Sequence, residues 1–552
     1  MIYDGPLHLI VGGDILHVEL GDEISLSCSR KIHELFYGIS GVEGVTEVTP
    51  AYSSLAIKVD LSHTTFNQVI EQVNRFWGMR GEMEFHGKEV KVPVCYEGQF
   101  APDLDWVASR AGLAKSQVVE IHANKVYTCM MLGFSPGFVY LDEVDNRIAS
   151  PRLETPRTKV VSGSIGIADA QTGIYGIDSP GGWRVIGRSA ITTFNPRVNP
   201  PTPIAPGDYV KFEPISEKEF EFIKAKPREE PERVAGTCAF EVIQPGIFTT
   251  VQDRGRRYYR HLGVPRSGGL DVRSLVQANY ILGNPANAPT LEIIGGHFKA
   301  RALMDLIVAV TGADSPVTIN GEPAEMWGLL LLSEGEEIVI GGPVSGFINY
   351  LGVAGGFGAD LVMGSGSTFV RGNFGGFEGR VLRLGDMLRI AEIPEQVSEH
   401  GVPASERVHF ITEGNDVIRV TPAVHVNMFS ERTWKKFYEA CFVVSEISDR
   451  MGYRLKTIDF DSSRLGGRGV LTYPTYPGYV QIPSGGSPIV LQQDCQTTGG
   501  YMAGVCVLPS QMGRLSQLAP GSKIVFEEVK AEESVEETRE FFKSMDKYDI
   551  LR

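Results

Sequence analysis

Apolar and polar residues alternate with two different periods in the first 90 residues of the chain. LHLIV, HVEL and SSLAIKVDL follow the two-residue period of half-buried strands. EISLSCSRKIHELFYGI and TTFNQVIEQVNRF place apolar residues on one helical face, and Thr64 or Thr65 can cap the second helix. Strands and helices mixed in this order predict a small α/β domain over residues 1–90.

The pattern changes near residue 91, where short apolar runs are separated by Gly, Pro, Asn and Asp. This texture is typical of a β-barrel, and only DLDWVASRAGLAKSQVVEIHA has helical spacing. The predicted barrel covers residues 91–214, and the charged, proline-containing residues 215–236 predict a connection. Two more strand-rich domains follow over residues 237–400 and 401–528, with helices near LDVRSLVQANYILGN and SERTWKKFYEA.

The last segment, residues 529–552, is rich in charge and reads VKAEESVEETREFFKSMDKYDILR. Charged chain ends are more often solvated than packed. A solvated or partly disordered tail is therefore the favoured interpretation, and a charged helix is the alternative. The predicted fold class is mainly β with an α+β part.

The charge of the chain excludes some classes of partner. The formal net charge is -15, which disfavours nucleic acid and anionic membranes, because both attract clustered Lys and Arg. No run of about 18 apolar residues predicts a membrane span. The seven cysteines contain no CxxC pair, and the N-terminus lacks the pattern of a signal peptide. These observations predict free thiols and a cytoplasmic protein.

Common catalytic motifs are missing, and the information lies in clusters of Gly, Pro, Arg and aromatic residues. The sequence has no Walker P-loop, HExxH, EF-hand loop or GxSxG. GFSPGFVYL, residues 133–141, keeps five large apolar residues in a turn-rich segment. PRLETPR, QTGIY and SPGGWRVIGR follow it, and their arginines offer planar forks for a carboxylate or a phosphate. A barrel with tight corners and surface arginines is the alternative interpretation.

The second half of the chain has clusters of the same kind. TTVQDRGRR, GVPRSGGLD and LEIIGG come first, and SEISDRMGYRL and QIPSGGSPIVLQQDCQTTGGYM come later. Asp253 and Arg256 are close enough along the chain to pair, as are Asp449 and Arg450 with Arg454. Such pairs often only hold loops together.

These clusters resemble a known family. GFSPGFVYL, PRLETPR, GSIGIA, QTGIY and SPGGWRVIGR resemble allophanate hydrolase subunit 1, or KipI. PGIFTTVQDRGR, GVPRSGGLD, LEIIGG, TGAD, SDRMGYRL and QIPSGGSPIVLQQDCQTTGGY resemble allophanate hydrolase subunit 2, or KipA. The chain is thus identified as a fusion of the two, which are also the B and C subunits of 5-oxoprolinase and the carboxyltransferase modules of urea carboxylase.

The resemblance implies a fold and a function. It implies a small α/β domain followed by three cyclophilin-like β-barrel units. It implies a component of an ATP-dependent 5-oxoprolinase that opens 5-oxoproline to glutamate, with ATP and Mg as co-substrates and a LamB/YcsF-type protein as partner. The chain has no AMKM-like site for biotin attachment. The alternatives are a regulator that inhibits a sensor histidine kinase, and a carboxyltransferase that acts on a biotinyl protein in trans; a homo-oligomer stays open.

The motifs supply the candidate site residues. The candidates for catalysis are His122, Arg157, Asp253 and Asp494. The candidates for binding substrate or nucleotide are Phe134, Pro136, Gly137, Tyr140, Arg152, Gln171, Tyr175, Trp183, Arg188, Gln252, Arg256, Asp271, Asn279, Gln496 and Tyr501.

Some of these candidates have more specific expected roles. Arg152, Arg157, Arg188 and Arg256 are expected to stabilise a phosphoryl group. Asp253, Asp271 and Asp494 are expected to bind magnesium or accept a proton. His122 is an acid–base group or a histidine satisfied within the core.

Overall fold

The computed structural model describes residues 2–79, 87–225, 236–394, 396–397, 400–407, 415–457, 469–483 and 485–549. The described part of the chain folds into an N-terminal domain, three β units and a C-terminal helix. No helix in these ranges is both long and apolar enough to cross a bilayer.

The N-terminal domain packs two helices on one four-stranded antiparallel sheet with the order β1-β2-β4-β3. Its elements are β1 (Ile2–Val11), β2 (Ile15–Gly21), α1 (Leu26–Ile39), β3 (Val45–Pro50), β4 (Ser54–Val59) and α2 (Phe66–Gly78). Thr65 caps α2 through a reciprocal capping box with Gln68. Apolar faces of the sheet and both helices enclose one core that includes Leu16, Ile32 and Val69.

The second unit is a closed seven-stranded barrel with the order β10-β7-β6-β13-β5-β12-β9. Its parallel pair, β5 and β13, joins the first and last strands. The seven barrel strands are β5 (Glu89–Cys95), β6 (Val126–Leu132), β7 (Val139–Glu143), β9 (Ser164–Ala168), β10 (Gln171–Ile174), β12 (Arg184–Ser189) and β13 (Tyr209–Ile215). Strands β8 (Arg157–Val160) and β11 (Ser179–Gly181) pair as a separate two-stranded sheet. Helices α3 (Leu104–Ala111) and α4 (Lys115–Asn124) pack on it. The expected connection contains α5 (Glu217–Lys224), and its residues 226–235 lie outside the described ranges.

The third unit has two sheets that enclose a shared core. The six-stranded sheet has the order β20-β19-β22-β17-β14-β24, and the five-stranded sheet has the order β15-β16-β23-β18-β21. Its elements are β14 (Thr237–Pro245), β15 (Phe248–Gln252), α6 (Val272–Ile281), β16 (Thr290–Ile294), β17 (Phe298–Ala302), β18 (Leu306–Asp314), β19 (Val317–Ile319), β20 (Glu322–Ala324), β21 (Leu330–Leu332), β22 (Glu337–Ile340), β23 (Ser345–Val353) and β24 (Met387–Ile390).

The fourth unit is another closed seven-stranded barrel, with the order β25-β32-β29-β30-β27-β26-β33. Its elements are β25 (Asp416–Pro422), α7 (Glu431–Glu439), β26 (Phe442–Val444), β27 (Gly452–Thr457), β28 (Tyr473–Pro474), β29 (Tyr479–Ile482), β30 (Ile489–Leu491), β31 (Thr498–Gly499), β32 (Met502–Val507), α8 (Pro509–Ser516) and β33 (Lys523–Glu528). The predicted mainly β fold is confirmed, and two of the three expected barrel units are closed. The third unit keeps two separate sheets. There Gly246, at φ +75°, lies where the chain passes from β14 in the six-stranded sheet to β15 in the five-stranded sheet.

The last helix, α9 (Ala531–Asp546), is packed on the rest of the molecule, so the favoured expectation of a solvated tail is wrong. Arg419 on the second barrel forms ion pairs with Glu533 and Glu537, so two acidic residues of α9 have a partner. The backbone of Gly13 approaches the helix so closely that a Cβ there would lie 2.4 Å from Thr538 Oγ1. These contacts join α9 to the N-terminal domain and to the second barrel.

Candidate functional site

The segment Gly133–Leu141 keeps its large apolar residues because Val139 and Leu141 pack in the barrel core, while Phe134, Phe138 and Tyr140 belong to a buried aromatic cluster. Phe138 is its centre, with ring centroids 4.5 Å from Tyr140, 4.9 Å from Tyr175 and 5.4 Å from Trp183. Tyr52 of the N-terminal domain adds an edge contact with Tyr140 at 5.7 Å. The cluster therefore forms an apolar wall that is shared by the first two units.

The same segment contacts both later units, and we call this contact region the seam: residues 133–138, 259–264 and 496–500. The backbone N–H of Phe134 donates to Thr498 Oγ1 at 2.8 Å. The N–H of Gly137 donates to the carbonyl of Leu262 at 3.0 Å. Loops of the first barrel, the two-sheet unit and the second barrel thus meet at one place.

Gly263 is essential to the close approach of two backbones at the seam. It has φ +79°, and a Cβ there would lie 2.2 Å from the carbonyl oxygen of Ser135. Gly263→Ala should lower the free energy of unfolding by about 2–4 kcal/mol, because it adds a clash to the cost of positive φ. Gly335→Ala is the matched control, since Gly335 has φ +87° and open space around it, and should cost only about 1 kcal/mol. Equal losses in urea unfolding would contradict the tight seam.

Polar groups surround the aromatic cluster. Gln171 Nε2 donates to the hydroxyl of Tyr52 at 2.5 Å. Arg152 has a side chain that is 58% exposed, and its nearest carboxylate, on Asp169, is 3.9 Å away. Burial raises the pKa of Tyr175 to about 12, while the positive charge of Arg152 acts in the opposite direction. Arg152 is therefore a cation beside the cluster with a guanidinium accessible to a ligand.

The second barrel brings a row of amides to the seam. Gln496 Nε2 donates to Gln481 Oε1 at 2.9 Å, and Gln481 Nε2 donates to the Tyr473 hydroxyl at 3.1 Å. Tyr473 in turn donates to the carbonyl of Tyr501 at 2.7 Å, while the ring of Tyr501 is 49% exposed. These hydrogen bonds hold the side chain of Gln496, which lies two residues before the seam residue Thr498.

Three of the expected phosphate-binding arginines have partners within the chain. Arg157 forms a bidentate pair with Asp103 at 2.9 and 2.8 Å. Arg188 donates to the carbonyl of Ser162 at 3.1 Å. Arg256 is buried and donates to the carbonyl of Ser367. Of the four, Arg152 has the geometry best suited to an external anion.

His122 lies in the core of the first barrel, away from the seam. Its Nδ1 is 2.9 Å from the Tyr96 hydroxyl and its Nε2 is 3.0 Å from Thr172 Oγ1. The ring stacks on Phe212 at 4.7 Å. Burial lowers the pKa of His122 to about 3, so the ring is neutral at pH 7. This geometry favours the satisfied core histidine over the acid–base group.

Buried neutral histidines make the stability of the chain depend on pH. Burial lowers the pKa to about 3 for His17 and His122 and to about 4 for His33, His261 and His425. Below about pH 6.5 the unfolded chain binds protons that the folded chain excludes, so the free energy of unfolding should fall. Each histidine adds a slope of up to about 1.4 kcal/mol per pH unit between its two pKa values.

Urea unfolding at several pH values between 7.5 and 5 checks this expectation. His122→Gln, which can keep both hydrogen bonds, should reduce the slope. His63→Gln is the control, because that side chain is 58% exposed, and it should leave the slope unchanged. A profile that is flat between pH 7.5 and 5 would contradict the neutral buried histidines.

The three expected magnesium ligands are also occupied. Asp253 accepts from Ser365 Oγ at 2.7 Å and from the Gly366 N–H at 2.6 Å. Asp271 caps α6 and also accepts from Gln517. Asp494 pairs with Arg450 at 2.9 Å. Within the described ranges, no three His, Cys, Asp or Glu side chains converge as a metal site, so these residues do not fit a resident magnesium ion.

Arg450 is the centre of a buried ion cluster between the two-sheet unit and the second barrel. It pairs with Glu292 as well as Asp494, and its Nη2 donates to the carbonyl of Gly268 at 2.7 Å. Its side chain is 4% exposed, and those of the two carboxylates are 0% and 7% exposed. The cluster joins two units, and its burial leaves Asp494 unsuited to contact a ligand.

Other candidates also serve the structure. Gln252 Nε2 donates to the carbonyl of Thr368 at 3.2 Å, and Asn279 Nδ2 donates to the carbonyl of Ala288 at 2.8 Å. The seam brings together Phe134, Pro136, Gly137 and Gln496, with Tyr140, Tyr175 and Trp183 in the adjoining cluster. Our sequence reasoning missed Tyr52 and did not single out Thr498, although Thr498 lies within the QTTGGY motif.

Comparison with known proteins matches two family models to the chain. Residues 7–204 match the family described as carboxyltransferase domain, subdomain C and D. Residues 262–528 match carboxyltransferase domain, subdomain A and B. The B subunit of 5-oxoprolinase from Bacillus subtilis is 37% identical, over 39% of this chain and 95% of the relative. The C subunit of 5-oxoprolinase from Escherichia coli is 35% identical, over 53% of this chain and 93% of the relative.

Two further comparisons bear on the arrangement of the units. Urea amidolyase of Lachancea kluyveri is 31% identical to this chain. The match covers 52% of this chain and only 17% of that protein. The crystal structure of TTHA0988 has a TM-score of 0.80 and 29% identity, and the match covers 93% of this chain and 99% of that one. The resemblance found in the motifs is confirmed. The chain belongs to the carboxyltransferase-domain family and carries its subdomain C–D and subdomain A–B modules in one polypeptide.

Proposed function

We propose that the chain is a component of an ATP-dependent 5-oxoprolinase that opens the lactam of 5-oxoproline to glutamate. The observation that carries this proposal is the seam, where Phe134 of one module donates to Thr498 of the other. The relatives of the two modules are named as the B and C subunits of 5-oxoprolinase. A loop from each module thus contributes to one candidate site.

The chemistry explains the need for ATP. A lactam carbonyl is a weak electrophile with a poor leaving group, and transfer of the terminal phosphoryl group of ATP to its oxygen removes this difficulty. ADP leaves in that step. Water then adds to the ring carbon, and the C–N bond breaks as the nitrogen takes a proton, leaving an acyl phosphate. A second water releases phosphate and gives glutamate.

The residues in and around the aromatic cluster suit the substrate. The exposed guanidinium of Arg152 can pair with the carboxylate of 5-oxoproline. The aromatic cluster around Phe138 supplies an apolar wall for the ring, and Gln171 offers an amide to the lactam group. Magnesium then enters with the nucleotide phosphates, since the candidate carboxylates already have partners.

The reaction also needs partners and a compartment. Relatives that are named as subunits support a multi-subunit enzyme, and we propose a LamB/YcsF-type protein as the partner. We place the reaction in the cytoplasm, because all seven cysteines are free thiols.

A coupled assay tests the function. The purified chain is mixed with ATP, magnesium and 5-oxoproline, with and without the LamB/YcsF-type protein of the same genome, and ADP and glutamate are followed together. We expect glutamate and ADP in equal amounts only when the partner is present. No glutamate in any mixture would contradict the proposal. Carboxyl transfer to a biotinyl protein would favour the carboxyltransferase alternative, and inhibition of a sensor histidine kinase would favour the regulator.

A further inference from the structure

A cavity of about 560 Å³ lies between the N-terminal domain, the two-sheet unit, the second barrel and α9. Among the described residues that line it, Arg260 is the one that belongs to the seam. Its volume is in the range of pockets that enclose small organic ligands, about 300–1,000 Å³. The four parts of the chain that form its walls are far apart in the sequence, so the site exists only in the folded chain.

The cavity is positive, although the chain is acidic. Eight Lys and Arg residues line it against six Asp and Glu residues, whereas the whole chain has a net charge of -15. Part of this charge is paired: Asp14 with Lys58 at 2.6 Å, Asp549 with Arg254 at 3.1 Å, and Asp416, outside the lining, with Arg514 at 2.8 Å. The remaining charge is concentrated in arginines of one segment, residues 254–266.

Arg260 has donors that no group within the described ranges uses. Its side chain is 1% exposed, and its Nη2 donates to the carbonyls of Thr475 and Gln496. Its Nε and Nη1 are buried without a hydrogen-bond acceptor. Buried guanidinium donors without a partner are costly, and Arg260 is one of the residues that line the cavity.

Neighbouring arginines repel one another at this wall. Burial, together with the charges of Arg257 and Arg254, lowers the pKa of Arg266 to about 10. Arg266 Nε donates only to a backbone carbonyl, that of Arg254 at 3.2 Å. A bound phosphate would change this repulsion into attraction, because guanidinium groups bind phosphate oxygens in bidentate geometry.

Helix α9 contributes apolar residues to the lining, beside Asp546. Phe541, Phe542 and Met545 line the cavity there. Arg254 Nη1 pairs with Asp549 Oδ2, just beyond α9, at 3.1 Å. A ligand with an anionic end and an apolar end would therefore satisfy both the arginines and the apolar residues.

We infer that this cavity binds an organic phosphate of nucleotide size, with its phosphates on Arg257, Arg260 and Arg266 and its apolar end on α9. The inference extends the proposed function, since it places the phosphate-bearing co-substrate next to the seam: Arg260 also donates to the carbonyl of Gln496. It names α9, outside both matched modules, as part of the binding site.

Calorimetric titration of the full chain with ATP, ADP, pyrophosphate and adenosine tests the inference without any turnover. We expect saturable binding of ATP and ADP and none of adenosine. Arg257→Gln should weaken ATP binding at least about tenfold, because it removes charge-assisted hydrogen bonds to the phosphates, and the side chain is exposed. Arg383→Gln is the matched control, an exposed arginine that does not line the cavity, and should change nothing.

Hydrogen exchange gives a second readout, and ATP should slow exchange of the α9 amides. No binding of any phosphate, equal weakening in Arg257→Gln and Arg383→Gln, or unchanged exchange in α9 would each overturn the inference. ATP binding without glutamate formation would keep the cavity assignment and contradict the proposed function. If Arg257→Gln leaves glutamate formation unchanged and no ATP binds in the cavity, the proposed function is kept and the cavity assignment is contradicted.

Discussion

Arg152→Gln should raise the KM for 5-oxoproline by about 10- to 100-fold and change kcat much less. The guanidinium is 58% exposed, beside the aromatic cluster, and 3.9 Å from its nearest carboxylate. A charge-assisted bidentate contact with a substrate carboxylate contributes about 1.5–3 kcal/mol, which corresponds to that range.

Arg147→Gln is the matched control for this change. Arg147 lies in the same barrel, is 63% exposed and pairs with Asp145 at 2.7 Å. Arg147→Gln therefore removes the same charge at a position away from the seam. Its KM should equal that of the wild type in the coupled assay. A wild-type KM in Arg152→Gln, or an equal rise in both variants, would contradict the role of Arg152.

Arg450→Met should lower the free energy of unfolding by about 3–5 kcal/mol, because it leaves two buried carboxylates without their cation. Glu292 and Asp494 are 0% and 7% exposed, and neither can regain water without opening the contact between two units. The fall should appear in urea unfolding with the wild-type chain measured beside it.

Arg301→Met supplies the comparison. Arg301 also joins two carboxylates, on Glu241 and Glu337, but its side chain is 42% exposed. Its loss should therefore cost only about 0–1 kcal/mol, since solvent screens exposed pairs. Equal losses in the two variants would show that burial of the Arg450 cluster contributes nothing to stability.

Local pattern was enough to predict the small N-terminal domain. The two-residue period of SSLAIKVDL corresponds to β4, and the helical spacing of TTFNQVIEQVNRF corresponds to α2. Thr65 was one of two expected caps, and the structure uses it with Gln68. These features depend on neighbours within a few residues, so one sequence contains them.

Features that depend on distant residues could not be predicted in the same way. The charges of α9 favoured a solvated tail, because nothing local shows that Arg419 lies against Glu533 and Glu537. Residue type alone made Arg157 a candidate for phosphate, whereas its partner is Asp103, in a helix N-cap 54 residues earlier. Type and motif thus pointed to polar residues, but not to their partners.

The same limit applies to the candidate site. The GFSPGFVYL motif supplied the aromatic candidates Phe134 and Tyr140 for ligand binding, and these residues lie in a buried cluster beside the seam. The cavity on the other side of Arg260 was not predicted, because its walls come from four parts of the chain. The arginines of residues 254–266 were the signal available in the sequence, but only Arg256 among them was named as a candidate for binding.

A double-mutant cycle across the seam tests most directly whether the two modules form one site. Tyr140 of the first barrel and Thr498 of the second interact through their side chains, and this contact lowers the pKa of the tyrosine, which burial raises. Tyr140→Phe, Thr498→Val and the double variant are compared by kcat/KM for glutamate formation. The account predicts that each single change reduces kcat/KM and that the double variant loses little more than the worse single one. Losses that multiply, or single variants with wild-type kcat/KM, would contradict a site shared by the two modules.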